Sequence, residues 1–312
     1  MNKVFYIGGH AQMNMASALM AEDIKLGRKD CRYTVAFLPD QGRENFDPLA
    51  VIPDQLKDKV NVLTFTEEDR KNGKEAGFKD ELQRSCEHMC TRNEEAGYGS
   101  DVPSYVFGDG SKNIATWLLE NQASVKAAGP LISIMGGVRS EAEPEAYWVR
   151  QRQVIEPLCD RIFVSNDADR DNLIREGIEH DRISKVGNVS TLFLQNIAQD
   201  AFQDDEYKSK IMKEYNICPE QYTLLAVQQK ENLDTKSAMD NLLFHARIMA
   251  QSGWPLVIIA NGEYKKKSFT QYWEDQLADE IVKGDVRIIS CVDPKKRATL
   301  IQNADYIVSD VV

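Results

Sequence analysis

Asp109 sits where a carboxylate can do chemistry. It lies between Gly108 and Gly110, after the short, mostly apolar run 104–107 and before Ser111, Ile114, Trp117 and Leu118. The run reads as a buried strand, the glycines as a tight turn, and Ser111 as the cap of a helix with one apolar face. In open α/β folds ligands bind beyond the carboxyl ends of parallel strands, which is where such a turn stands. An aspartate there either handles a proton or ties down the turn and caps the helix. A second glycine turn, Gly8-Gly9-His10, follows the strand-like residues 4–7 and precedes a Met- and Ala-rich helical stretch, 12–24. Two glycines let a backbone approach a phosphate or sugar closely, but the full G-x-G-x-x-G spacing is missing, so no dinucleotide fingerprint is present. His10 either touches a ligand or is simply solvated. Arg139, in Gly136-Gly137-Val138-Arg139-Ser140 after another apolar run, either grips a phosphate or forms a surface ion pair.

These residues need a scaffold, and the alternation of apolar runs with amphipathic stretches supplies one. Strands are predicted at 4–7, 33–38, 60–65, 104–107, 130–135, 161–165 and 183–186. Helices are predicted at 12–24, from Ser111 onward, at 144–158 and at 167–177, and the charged region 67–99 is mostly helical in composition. Strand–helix alternation repeated about five times makes a doubly wound parallel sheet. The acidic stretch 199–206 reads as a surface connection. A second alternation follows, with strands at 222–227, 255–260, 286–290 and 306–310. Its first turn is polar: Gln228-Gln229-Lys230-Glu231-Asn232. The expected class is α/β, with two Rossmann-like parallel-sheet domains, residues 1–195 and 196–312. The chain ends on a strand just where a ligand-facing turn should begin, so the second domain is expected to be incomplete, cut at its C-terminus. Two such halves form a cleft between facing strand ends, a favoured place for small molecules.

Composition narrows the function. The 312 residues are 42% hydrophobic and 28% charged, as in a soluble globular protein. A net charge of -11 and a pI near 5.0 argue against broad affinity for nucleic acid or an anionic membrane, though a local basic cleft is compatible with them. No apolar run reaches membrane-spanning length and no signal-peptide pattern opens the chain, so a cytoplasmic location is expected. Six scattered cysteines do not make a disulfide framework. Cys86 and Cys90 share a helix face, but His88 points away and no second ligand pair of zinc spacing accompanies them; no metal is expected. No nicotinamide motif is present, and no cofactor is expected.

Several stretches together resemble one family. Gln41-Gly-Arg-Glu44 with Asp47, Ile52-Pro-Asp54, Phe107-Gly-Asp109, Gly137-Val-Arg-Ser140, Asn172-Leu-Ile-Arg-Glu-Gly-Ile178 followed by Val186-Gly-Asn188, and Lys230-Glu-Asn232 occur in that order over essentially the whole chain. The set resembles the UDP-N-acetylglucosamine 2-epimerase family, which has the two-domain GT-B architecture. Its members carry Gln-His-Arg-Glu, apolar-Pro-Asp, Gly-Asp-Thr, Glu-Ala-Gly-Leu-Arg, Asn-Leu-Leu-x-Glu-Gly, Thr-Gly-Asn and Gly-His-Arg-Arg-Glu-Asn segments. The resemblance implies inversion at C2 of the sugar in UDP-N-acetylglucosamine. The C2 proton is removed, UDP leaves C1, and UDP then adds back with a proton delivered to the other face; hydrolysing relatives release UDP and the free sugar. It implies Asp109 and Glu231 as the catalytic residues. Gly9, His10, Arg139, Gln228, Lys230 and Asn188 are implied as substrate contacts, with His10 where the family usually has arginine. It further implies a UDP-sugar partner, a role in cell-surface polysaccharide biosynthesis, and a homodimer.

The departures from the pattern are chemical. Met135 stands where Glu-Ala-Gly supplies a catalytic glutamate, and Gln228, which cannot ionise, stands where the family has histidine. A Pro-Glu-Glu-Ala-Asn-Arg segment is only loosely echoed by Pro144, Glu145 and Arg150 to Arg152. The family's Ser-Gly-Gly turn, which grips nucleotide phosphates, is expected after Asp310. Glu143 or Glu145 either supplies the missing acid or is an exposed charge at a helix start. A nucleotide-sugar-binding protein without this chemistry, or a GT-B glycosyltransferase, is therefore the alternative.

Overall fold

The structure is a computed structural model, and it describes residues 1–28, 30–39, 46–95, 97, 100–108, 111–140, 146–227, 235–260, 263–264, 267–290 and 294–309. Asp109, Glu143, Glu145, Gln228, Lys230 and Glu231 lie outside these residues. The chain divides into two compact units, Met1–Phe193 and Leu194–Val312.

The first unit is built on seven strands: β1 (Lys3–Ile7), β2 (Tyr33–Phe37), β3 (Val60–Thr64), β4 (Ser104–Phe107), β5 (Leu131–Ile134), β6 (Arg161–Val164) and β7 (Ile183–Lys185). Every pairing is parallel, and the order is β3-β2-β1-β4-β5-β6-β7. The order reverses between β1 and β4, so the turns leaving these two strands flank the switch point of the sheet. β1 and β2 are buried at every position because helices cover both faces. Val4 and Tyr6 pack with Val106, Trp117 and Leu118 on one side of the sheet. Phe5 and Ile7 pack with Met13, Met20, Phe37 and Phe107 on the other. Alternation within a strand thus feeds two separate cores.

The second unit repeats the plan. β8 (Thr223–Ala226), β9 (Leu256–Ala260), β12 (Val286–Ser290) and β13 (Tyr306–Ser309) form a parallel sheet in the order β12-β9-β8-β13. A two-residue antiparallel pair, β10 (Glu263–Tyr264) and β11 (Lys267–Ser268), follows β9 and has no counterpart in the sequence-based expectation. The α/β class with parallel sheets is the one the strand–helix alternation predicts.

The acidic stretch 199–206, read as a surface connection, is mostly helical: the helix Val189–Gln203 is followed by a second one, Asp205–Glu214. The acidic residues work as helix-start signals. Asp204 accepts from the Tyr207 N–H at 2.9 Å, and Asp205 and Glu206 occupy the first turn, where negative charge is favoured.

Beyond β3, Thr66 and Asp69 cap each other: Asp69 N donates to Thr66 Oγ1 at 3.1 Å, and Thr66 N donates to Asp69 Oδ2 at 3.0 Å. Lys74 Nζ lies 2.8 Å from Asp69 Oδ1. The Lys74 hydrogen bond, then those from Thr66, hold the Asp69 carboxyl down from 3.8 to about 2. A depressed folded-state pKa gives stability that is complete above the unfolded value and drains away as pH falls through the folded one. Asp69→Asn is therefore expected to flatten the loss of stability between pH 3.8 and about 2. Denaturant midpoints measured across that window check this; an unchanged acid slope would count against it.

Candidate functional site

The turn after β1 is held from within. Gln12, fully buried in the first turn of the helix His10–Lys25, accepts at Oε1 from the backbone N–H of Gly8 and from that of Gly9, the latter at 3.1 Å. The glycine N–H groups are thus occupied by the chain's own amide. A Cβ on Gly8 would stand 2.6 Å from Ser111 Oγ, so only glycine lets the β1 turn lie against the β4 turn. His10 is exposed; its ring stands 4.9 Å from that of Phe46, and its Nδ1 is 3.1 Å from Asn14 Nδ2.

The turn carrying Asp109 is fixed on both flanks. Gly108 N donates to Ile134 O at 2.8 Å. A Cβ on Gly108 would overlap the Met135 carbonyl oxygen, so the β4 and β5 turns meet backbone to backbone. On the other flank Ser111 Oγ accepts from Ile114 N at 3.4 Å and caps the helix Lys112–Ala128. Asn113 Nδ2 donates to Pro39 O at 2.5 Å, which ties the same turn to the end of β2.

The β5 turn is the most constrained. Met135 adopts a left-handed conformation, with φ of 59°, which costs a side-chain-bearing residue about 1–2 kcal/mol. Gly137 follows with φ of 79°, and a Cβ there would overlap the Asp169 backbone. Arg139 then turns its guanidinium onto two glutamates. Nη2 lies 2.5 Å from Glu156 Oε2, Nε donates to Glu176 Oε1 at 2.8 Å, and Nη1 donates to Val138 O at 2.9 Å. The Arg139 side chain is only 11% exposed and that of Glu156 only 1%. The other Glu156 oxygen accepts from Gly137 N at 2.7 Å. Arg139 thus forms an ion pair that is largely buried.

Burial opposes the Arg139 charge, but the bonds to Glu176 and Glu156 outweigh it and hold its pKa above the usual value. Burial pushes the Glu156 carboxyl up despite Arg139. Burial acts on Glu176 in the same direction, but Arg139 and Gln153 prevail and leave it lowered.

Asn188 follows β7 and is exposed. Its side chain accepts from Ser190 N at 2.9 Å, where the helix Val189–Gln203 begins. Ser190 Oγ lies 3.4 Å from Met15 Sδ and 3.4 Å from Met135 Sδ. Three parts of the carboxyl edge thus meet: the helix after β1, the end of β5 and the start of the helix after β7. The Ser190 hydroxyl thus sits against two thioethers, one of them that of Met135.

Gly9, His10, Arg139 and Asn188 therefore all lie along the carboxyl edge of the first sheet, as do Gly108 and Ser111. Sequence reasoning missed Gln12, Glu156, Glu176, Met15 and Ser190. A glutamine three residues after a glycine at a helix start was a readable capping signal; the others had none.

Residues 103–311 match the family model described as UDP-N-acetylglucosamine 2-epimerase. The chain belongs to the UDP-N-acetylglucosamine 2-epimerase family. Solved family structures share its fold. The UDP-GlcNAc 2-epimerase from Methanocaldococcus jannaschii superposes with a TM-score of 0.65 at 16% identity, covering 99% of this chain and 79% of that one. The Neisseria meningitidis UDP-GlcNAc 2-epimerase bound to UDP-GlcNAc gives 0.65 at 15% identity, covering 99% and 77%. The S. aureus MnaA–UDP co-structure gives 0.61 at 16%, covering 99% and 74%. At these identities the likeness is one of fold. No curated protein sequence matches the chain. Among the described residues of this family member, no helix is long and apolar enough to cross a membrane.

Proposed function

We propose that the chain binds a UDP-amino sugar and acts at its C2, by eliminating and re-adding UDP or by hydrolysing the sugar–UDP bond. The family match over 103–311 carries this reading. It is supported by β4, which precedes Asp109 in sequence, standing at the switch point of the first sheet, and by the solved relative that holds UDP-GlcNAc. Asp109 serves as acid and Glu231 as the second catalytic group, moving protons at C2 and at the departing diphosphate oxygen. Lys230 and the start of the helix at His10 supply positive charge for the diphosphate, where helix N-termini favour anions. Gly9 gives the close approach, and Gln228, Asn188 and Arg139 line the bound sugar nucleotide. The elimination and re-addition involve no net redox change. The protein is taken to work in the cytoplasm as a homodimer, supplying an amino sugar for cell-surface polysaccharide.

A second reading, a nucleotide-sugar-binding protein without turnover, is favoured by Met135. Its thioether rests beside Ser190, and it has no proton to exchange. One experiment separates the two. UDP-N-acetylglucosamine is incubated with the protein in deuterated water. The first reading expects the manno isomer or free UDP, with deuterium at C2 of recovered nucleotide sugar wherever elimination is reversed. Calorimetric UDP binding with no isomer, no UDP release and no exchange would establish the second reading and end the first.

A further inference from the structure

A cavity of about 270 Å³ lies on one face of the first sheet, between the helix Glu75–Glu95 and the helix Lys112–Ala128. It shares no residue with the carboxyl-edge site. Its origin is in the backbone. The helix Lys112–Ala128 breaks at Asn121 (φ -121°, ψ 15°), whose Nδ2 donates to Trp117 O at 3.0 Å. Beyond the break this helix lines the gap with Ser124, Val125, Ala127 and Ala128. Beside the kink, the short side chains leave this space unfilled, whereas packed interiors hold few voids larger than a water molecule.

The lining is selective. At its floor the Tyr6 hydroxyl is flanked by Trp117 and Ser104. Trp117 is 1% exposed, and its indole N–H faces the Tyr6 hydroxyl without forming a well-aligned hydrogen bond among the described residues. An unpaired buried donor is costly, and an acceptor oxygen delivered to this corner would satisfy it. The walls are largely apolar: Leu82 and the thiols of Cys86 and Cys90 line one side from the helix Glu75–Glu95, and Val125 comes from the helix Lys112–Ala128. Burial pushes the Cys86 thiol up to about 11, so it remains a neutral, polarizable surface and not a nucleophile. Lys79 and Glu87 bring opposite charges to the lining, so the cavity offers no cationic cluster for a phosphate. Gln83, Glu87, Ser124 and Ala127 are exposed and mark its mouth.

We propose that this cavity is a binding site for a small, uncharged, mostly aromatic or aliphatic molecule carrying one hydrogen-bond-accepting oxygen, held against Tyr6, Ser104 and Trp117. The inference is independent of the chemistry assigned to the carboxyl edge. Acetophenone is a suitable probe and benzoate its charged control, each followed on the full chain by saturation-transfer NMR. Acetophenone is expected to bind with a Kd of about 1 mM and benzoate about tenfold more weakly. Ser124→Trp, an exposed change at the mouth, is expected to abolish acetophenone binding while leaving calorimetric UDP binding unchanged. Trp117→Phe keeps the ring and removes the N–H, and is expected to weaken acetophenone about fivefold. No acetophenone binding up to about 10 mM, equal binding of benzoate, or binding that survives Ser124→Trp would each overturn the proposal.

Discussion

Asp109→Asn is expected to lower turnover of UDP-N-acetylglucosamine by about 10²–10⁴-fold, the range spanned by loss of one positioned acid or base. The argument comes from both ends of the turn. Gly108 is fixed by its N–H on Ile134 O, and Ser111 by its cap on Ile114 and its contact with the β1 turn. β4, which precedes Asp109 in sequence, stands beside the reversal in strand order, where open sheets take their ligands. Asparagine preserves size and local hydrogen bonding and removes only the titratable proton. If Asp109 merely capped or braced the turn, asparagine would serve as well, because the two residues cap helices about equally. The measurements are isomer formation, UDP release and C2 exchange, with UDP binding by calorimetry as the control for folding. Wild-type turnover in Asp109→Asn would remove Asp109 from the chemistry. Loss of turnover together with UDP binding would assign it to the architecture.

What the sequence could show followed from range. The parallel class was legible because β1 and β2, covered on both faces, are continuous apolar runs, and no other structure suits such runs between amphipathic helices. Ser111 as a cap was legible because a cap is a local event within three residues. The helical state of the acidic stretch 199–206 was not legible, because the same residues that solvate a linker also start helices, and only the apolar neighbours decide between them. The carboxyl-edge partnerships were beyond reach. Arg139 meets Glu156 and Glu176 across separations of 17 and 37 residues, and Ser190 meets Met15 across 175. Glu156 in particular carries no local sign of burial: it follows Ile155 and precedes a proline, as a surface glutamate at a helix end does. Its role appears only when the helix Tyr147–Ile155 is laid against the β5 turn.

That role gives the second large effect. Glu156→Ala is expected to destabilise the first unit by about 2–4 kcal/mol, the cost of taking a buried acceptor from two donors while Glu176 still pairs with Arg139. Two groups lose their acceptor at once: the Arg139 guanidinium, 11% exposed, and the Gly137 N–H. Both belong to the turn that holds Met135 in its left-handed conformation, and that strain persists only while the surroundings over-determine it. Glu176 is the internal control. It also pairs with Arg139, but its side chain is 30% exposed, so Glu176→Ala is expected to cost no more than about 1 kcal/mol. The pairing itself is tested by removing both partners. Arg139→Met in the Glu156→Ala background should be less destabilising than the single changes summed, because no unpaired charge remains buried. Chemical denaturation of the four proteins gives the coupling directly. If Glu156→Ala cost less than about 1 kcal/mol, or the two changes simply added, the glutamate would be incidental to the β5 turn. Arg139 would then be free to leave its carboxylates for a ligand phosphate at little cost.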